Sequence, residues 1–96
     1  MINVIITEQG ILMKGHAGHH KEGRDIVCAA VSALTCNLIN SLENLTEVKI
    51  RAETHEGFTK IKWENMTETG KLLVDSWFLG ITAVNQEYGC ITFEKN

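Results

Sequence analysis

Ninety-six residues, 44% of them apolar and 22% charged, suffice for one domain with a modest core and exclude a disordered or fibrous chain. A formal net charge of -3 and scattered Lys and Arg argue against a nucleic-acid surface, which needs clustered cations. No unbroken apolar run approaches the roughly 18 residues of a membrane span, and the N-terminus lacks a basic segment leading into an apolar one, so a cytoplasmic chain without a membrane partner is expected.

From Met1 to Thr7, Ile2, Val4 and Ile6 alternate with Asn3, Ile5 and Thr7, the period of a strand with one buried face. Glu8-Gln9-Gly10 reads as a turn, and Ile11 to Lys14 resumes an extended apolar pattern, so the first two elements form a hairpin whose second strand delivers His16. After a loop containing Gly18 and Gly23, Asp25 is placed to cap a helix with its carboxylate. Val27, Val31, Leu34, Leu38, Leu42 and Leu45 then recur every three or four residues, the stripe of a helix packed on a core and ending near Glu43 or Asn44. Ala30 and Ala33 border the stripe, where small side chains would let the helix approach a sheet.

Val48, Ile50 and Ala52 alternate with Lys49, Arg51 and Glu53 as a half-exposed strand. A turn at His55-Glu56-Gly57 leads to a second strand with Thr59, Ile61 and Trp63 on one face, completing a second hairpin. A second helix runs from about Thr67 to Tyr88 with Leu73, Trp77, Ile81, Val84 and Tyr88 on one face, and Gly89 terminates it. Gly70 and Gly80 weaken that helix by up to about 1 kcal/mol each relative to Ala. Ile91 and Phe93 close the chain as a short strand. The order β-β-α-β-β-α-β predicts an α+β two-layer domain spanning residues 1–96, a five-stranded sheet with two helices. Its far face would carry Lys49, Arg51, Lys60 and Lys62 together with Ile5 and Phe58, which allows a homodimer.

Cys28, Cys36 and Cys90 are odd in number and lack paired spacing, so no disulfide framework is expected. Cys28 and Cys36 fall on one helix roughly 12 Å apart, too far to bridge. With Asp25 as cap, Cys28 is the third helical residue, where backbone N–H groups are unpaired and the helix dipole favours negative charge, the setting of a stabilised thiolate. An imidazole within reach would take the thiol proton and later return it to a leaving amine, and His16 is the best placed. The N–H groups of that helix terminus could receive an oxyanion. Asp25 has two roles open, the cap or a group orienting His16. Ser32, one turn beyond Cys28 on the same face, either orients a substrate or fits as a small polar residue beside the sheet. Cys28 itself reads either as an activated thiol or as an inert small hydrophobe.

The GHA segment from Gly15 to Ala17, followed by G-x-DIVCAAVS from Gly23 to Ser32, resembles the signature of the ribosomal-processing cysteine protease family, Prp. The resemblance implies that His16 and Cys28 form a catalytic pair and that Ser32 matches the family's serine one turn beyond the cysteine. Gly15, Gly18 and Gly23 match or lie near the glycines flanking the family's flexible active-site loop. It also implies a homodimeric cytosolic endopeptidase without cofactor. Such enzymes remove a short N-terminal extension from the twenty-seventh large-subunit ribosomal protein by cutting after an aromatic residue. The pair His19-His20 departs from the family pattern.

Two other functions remain open from the residues. His16, His19, His20 and Cys28, with Cys36 in addition, are ligand types suited to zinc, although adjacent His19 and His20 do not readily face one ion and no C-x2-C pair is present. A non-catalytic dimeric binding module would use the same motif only as a helix entry. Trp63 and Trp77 read as core or interface aromatics, His55 as a solvated turn residue, and Cys36 and Cys90 as small packed hydrophobes.

Overall fold

The computed structural model describes residues 1–16 and 24–95, with side chains described to residue 16 and from residue 26 onward. The elements are β1 (Ile2–Thr7), β2 (Gly10–Gly15), α1 (Arg24–Leu45), β3 (Lys49–His55), β4 (Phe58–Glu64), α2 (Glu68–Tyr88) and β5 (Ile91–Lys95), the order expected from the sequence. Among the described residues the strands join one five-stranded sheet in the order β3-β4-β2-β1-β5. Both hairpins are antiparallel and β2 pairs antiparallel with β4, while β5 returns after α2 to lie parallel to β1.

The register assigns each strand residue to a face. Val4 lies opposite Met13 and Phe93, Ile6 opposite Ile11, and Ile11 opposite Ile61, so the apolar positions of neighbouring strands share one side. Against that side pack Val27, Val31, Leu38 and Leu42 of α1 and Val74, Trp77 and Ile81 of α2, giving one continuous core. Leu42, Ile61 and Ile81 are fully buried, each worth about 1.5–3 kcal/mol relative to exposure. The opposite face carries half-buried Ile5, Leu12 and Phe58 beside exposed Arg51 and Lys62.

Both tryptophans lie in the core with their N–H groups satisfied. Trp63 Nε1 donates to the Glu8 carbonyl at 2.7 Å, fastening β4 to the β1–β2 turn. Trp77 Nε1 donates at 3.1 Å to buried Thr35 Oγ1, which itself donates to the Val31 carbonyl at 2.7 Å. This bond joins the two helices. Nearby, a Cβ on Gly80 would lie 3.2 Å from both Leu34 methyl carbons, so Leu34 of α1 packs closely on the helical glycine of α2. Thr67 caps α2 by accepting from the Gly70 N–H at 3.0 Å, and Gly89 ends it with φ +66°.

The structure corrects several expectations. α1 begins at Arg24, so Asp25 lies inside the helix and does not precede it as a cap, and Cys28 is the fifth helical residue. The buried stripe of α2 is Gly70, Val74, Trp77 and Ile81, with Leu73 only half-buried beside it. Leu45 and Tyr88, assigned to apolar stripes, are exposed because each is the last residue of its helix. Ala33 faces solvent. By length and composition Ile26–Leu45 is apolar enough to cross a membrane, although residues such as Ser32, Thr35 and Asn37 interrupt its apolar run. Its stripe is instead occupied by contacts with the core just described.

Candidate active site

A cavity of about 380 Å³ opens between the α1 face that carries Cys28, the end of β2 and the β3–β4 turn. His16 enters it directly after β2, and Cys28 reaches it half-buried from α1. Residues 28, 32 and 36 succeed one another at helical spacing of four, so Cys28, Ser32 and Cys36 line the cavity along one α1 face, beside the stripe that enters the core. Thr35 and Val31 lie between the two faces and are buried, tying the cavity wall to Trp77.

His16 is held by backbone on both sides. The Gly15 N–H donates to the Gly57 carbonyl at 2.9 Å, and the Met1 nitrogen donates to the His16 carbonyl. Gly15 has φ +105°, and a Cβ there would lie 2.3 Å from the Met1 carbonyl oxygen, so only glycine fits. The imidazole lies over the β3–β4 turn, where Gly57 has φ +69°. A Cβ on Gly57 would lie 2.7 Å from His16 Nε2 and 3.1 Å from Cε1.

Because Cys28 is one turn into α1, its own N–H belongs to the helical ladder, and the unpaired N–H groups belong to the turn before it. Helical Cα–Cβ bonds tilt toward the N-terminus, so the Cys28 side chain leaves the backbone leaning toward those groups. Ser32 is exposed at the cavity wall. Cys28, Cys36 and Cys90 are not bonded to one another.

The model of the family described as Cysteine protease Prp matches residues 1–91. The chain belongs to that family. A curated relative, the ribosomal processing cysteine protease Prp of Staphylococcus aureus, is 24% identical over 94 residues, covering 91% of this chain and 89% of the relative. The crystal structure of the essential S. aureus ribosomal processing protease Prp with a covalently linked product peptide matches with a TM-score of 0.89 at 25% identity, covering 100% of both chains. SMU.848 from Streptococcus mutans matches with a TM-score of 0.75 at 32% identity, covering 98% of this chain and 90% of that one. The Prp membership makes the chain a cysteine protease.

Within this Prp fold the structure brings His16, Cys28, Ser32 and Gly15 to one cavity. Asp25 lies in the first turn of α1, its side chain outside the described residues. Gly18, Gly23, His19 and His20 fall outside the described residues. Among the described residues no three His, Cys, Asp or Glu side chains group as metal ligands.

Cys36 and Gly57 also line the cavity, beyond the residues expected there from the sequence. Cys36 is exposed at the cavity wall and not packed as a small hydrophobe, and its signal was the 28-32-36 spacing. The sequence around Gly57 signals only a turn, and no local pattern connects it with a histidine 41 positions earlier. His55 is largely solvated, as expected, with Nε2 2.8 Å from Glu53 Oε2.

Proposed function

We propose that the chain is a cysteine endopeptidase in which Cys28 is the nucleophile and His16 the general base and acid. The observation that carries this reading is the convergence of His16 and Cys28 on one cavity in a chain of the Prp family. His16 takes the Cys28 thiol proton, and the sulfur attacks the carbonyl carbon of the scissile peptide bond. The electron pair of the carbonyl moves to its oxygen, which the N–H groups of the first α1 turn are oriented to receive. When the C–N bond breaks, the leaving amine takes the proton from the His16 imidazolium. A water, deprotonated by His16, then hydrolyses the thioester and restores the thiol.

Ser32 borders the path of a peptide lying along α1, and its hydroxyl orients the bound chain. The substrate in this reading is the short N-terminal extension of the twenty-seventh large-subunit ribosomal protein, cut after an aromatic residue. Support comes from the sequence resemblance and from the S. aureus relative, whose name gives ribosomal processing as its role. The resemblance also implies a homodimer, which sedimentation velocity measures directly.

The test is incubation with the full-length ribosomal precursor followed by mass spectrometry of the products. The wild-type chain releases the extension at one site, and Cys28→Ala and His16→Ala do not. Cleavage retained by Cys28→Ala, or absent from the wild type, would sink the proposal.

A further inference from the structure

Gly57 lines the same cavity as His16 and Cys28. We infer that Gly57, at the tip of the β3–β4 hairpin, is a positioning residue for His16, an inference that rests on the catalytic role proposed for that histidine. The imidazole occupies the volume that any Cβ at position 57 would fill, with Nε2 2.7 Å, Cε1 3.1 Å and Cδ2 3.4 Å from it. The Nε2 separation is below van der Waals contact and the Cε1 separation is tight, so a side chain at position 57 and this ring position exclude one another.

Which partner gives way follows from the surroundings. His16 is exposed and its ring is the end of a rotatable side chain, whereas the hairpin backbone is anchored by the β3–β4 ladder and by the Gly15 N–H on the Gly57 carbonyl at 2.9 Å. A Cβ at position 57 therefore swings the imidazole away and leaves the hairpin in place. Gly57 thus serves twice: its carbonyl fixes the backbone next to His16, and its bare Cα supplies the surface on which the ring rests.

Gly57 also has φ +69°, so any replacement carries a backbone cost unrelated to His16. The structure contains its own control. Gly89 has φ +66°, and a Cβ there meets nothing within 4 Å. Asn tolerates positive φ better than other side chains, so Gly57→Asn and Gly89→Asn meet a similar φ, and only the first displaces a ring.

The experiment measures kcat and KM on a peptide spanning the ribosomal extension, together with the NMR resonances of the His16 ring. Gly57→Asn is expected to lower kcat by about 10²-fold with KM little changed and to shift the His16 ring signals, as displacement of a reacting group by about 1 Å does. Gly89→Asn is expected to leave both unchanged. Wild-type kcat in Gly57→Asn, or equal losses in both glycine variants, overturns the inference. If Gly57→Asn does not fold, folding restored by His16→Ala supports the clash, and failure in both backgrounds overturns it. Absence of cleavage by the wild type, or cleavage by Cys28→Ala, defeats the proposed mechanism before Gly57 is varied and removes this inference with it.

Discussion

Replacing Thr35 by Val tests how the cavity wall is held to the core. The two side chains have nearly the same shape, so the change removes a hydroxyl without opening a void. Thr35 is 3% exposed, and its Oγ1 accepts the Trp77 indole N–H at 3.1 Å. Trp77 is itself 3% exposed, so no water replaces the lost acceptor. An orphaned buried donor costs about 1–3 kcal/mol, against roughly 1 kcal/mol for a hydrogen bond lost to solvent. For a domain of this size each kcal/mol lowers Tm by about 4–8 °C, so a cost of about 2 kcal/mol corresponds to a fall of about 8–16 °C. The Val31 carbonyl loses only its second bond, from Thr35 Oγ1 at 2.7 Å, and adds little. Differential scanning calorimetry measures the shift. A double-mutant cycle with Trp77→Phe isolates the bond, because in the Phe background no indole N–H remains and Thr35→Val becomes nearly neutral. An unchanged Tm for Thr35→Val, or the same loss in both backgrounds, would refute the reasoning.

Leu42→Ala removes a fully buried side chain from α1 and should lower the unfolding free energy by about 2–5 kcal/mol, measured by urea titration. Ser32→Ala should reduce kcat/KM about fivefold, the worth of one ordinary hydrogen bond of about 1 kcal/mol, and leave Tm unchanged because the side chain is exposed. Extended dialysis against a chelator should leave peptide cleavage at the untreated rate, whereas loss restored by zinc would favour the metal-binding alternative.

How far these elements could be read from the chain depended on how local their cause was. The alternation of Val48 and Ile50 with Lys49 and Arg51 and the Trp77-Ile81 spacing report the local environment of each segment, and both hairpins and both helices followed from such patterns. Leu45 and Tyr88 show where periodicity stops. Each is in angular phase with its helix's core stripe, but phase carries no information about how far along the axis the neighbouring elements extend. Asp25 is misleading for another reason, since its strong preference for the cap position competes with the helix simply starting one residue earlier. At the site, His16 and Cys28 were found because a strand end and a helix start bring chemistry-bearing side chains together. Gly57 was not, because its importance lies in what its missing side chain leaves room for. The parallel pairing of β5 with β1 joins the two ends of the chain, and no local pattern specifies that partner.

Cys36 lines the same cavity as Cys28 and offers an internal competitor for the role of nucleophile. A peptide chloromethyl ketone carrying the sequence of the ribosomal extension, incubated with the folded chain, alkylates a thiolate held at the cleavage position. Digestion and peptide mapping then locate the label. With Cys28 as the nucleophile, the label falls on Cys28, Cys36 stays unmodified, and the Cys28 label is greatly reduced in His16→Ala. Label on Cys36, or equal labelling of both thiols independent of His16, would contradict it.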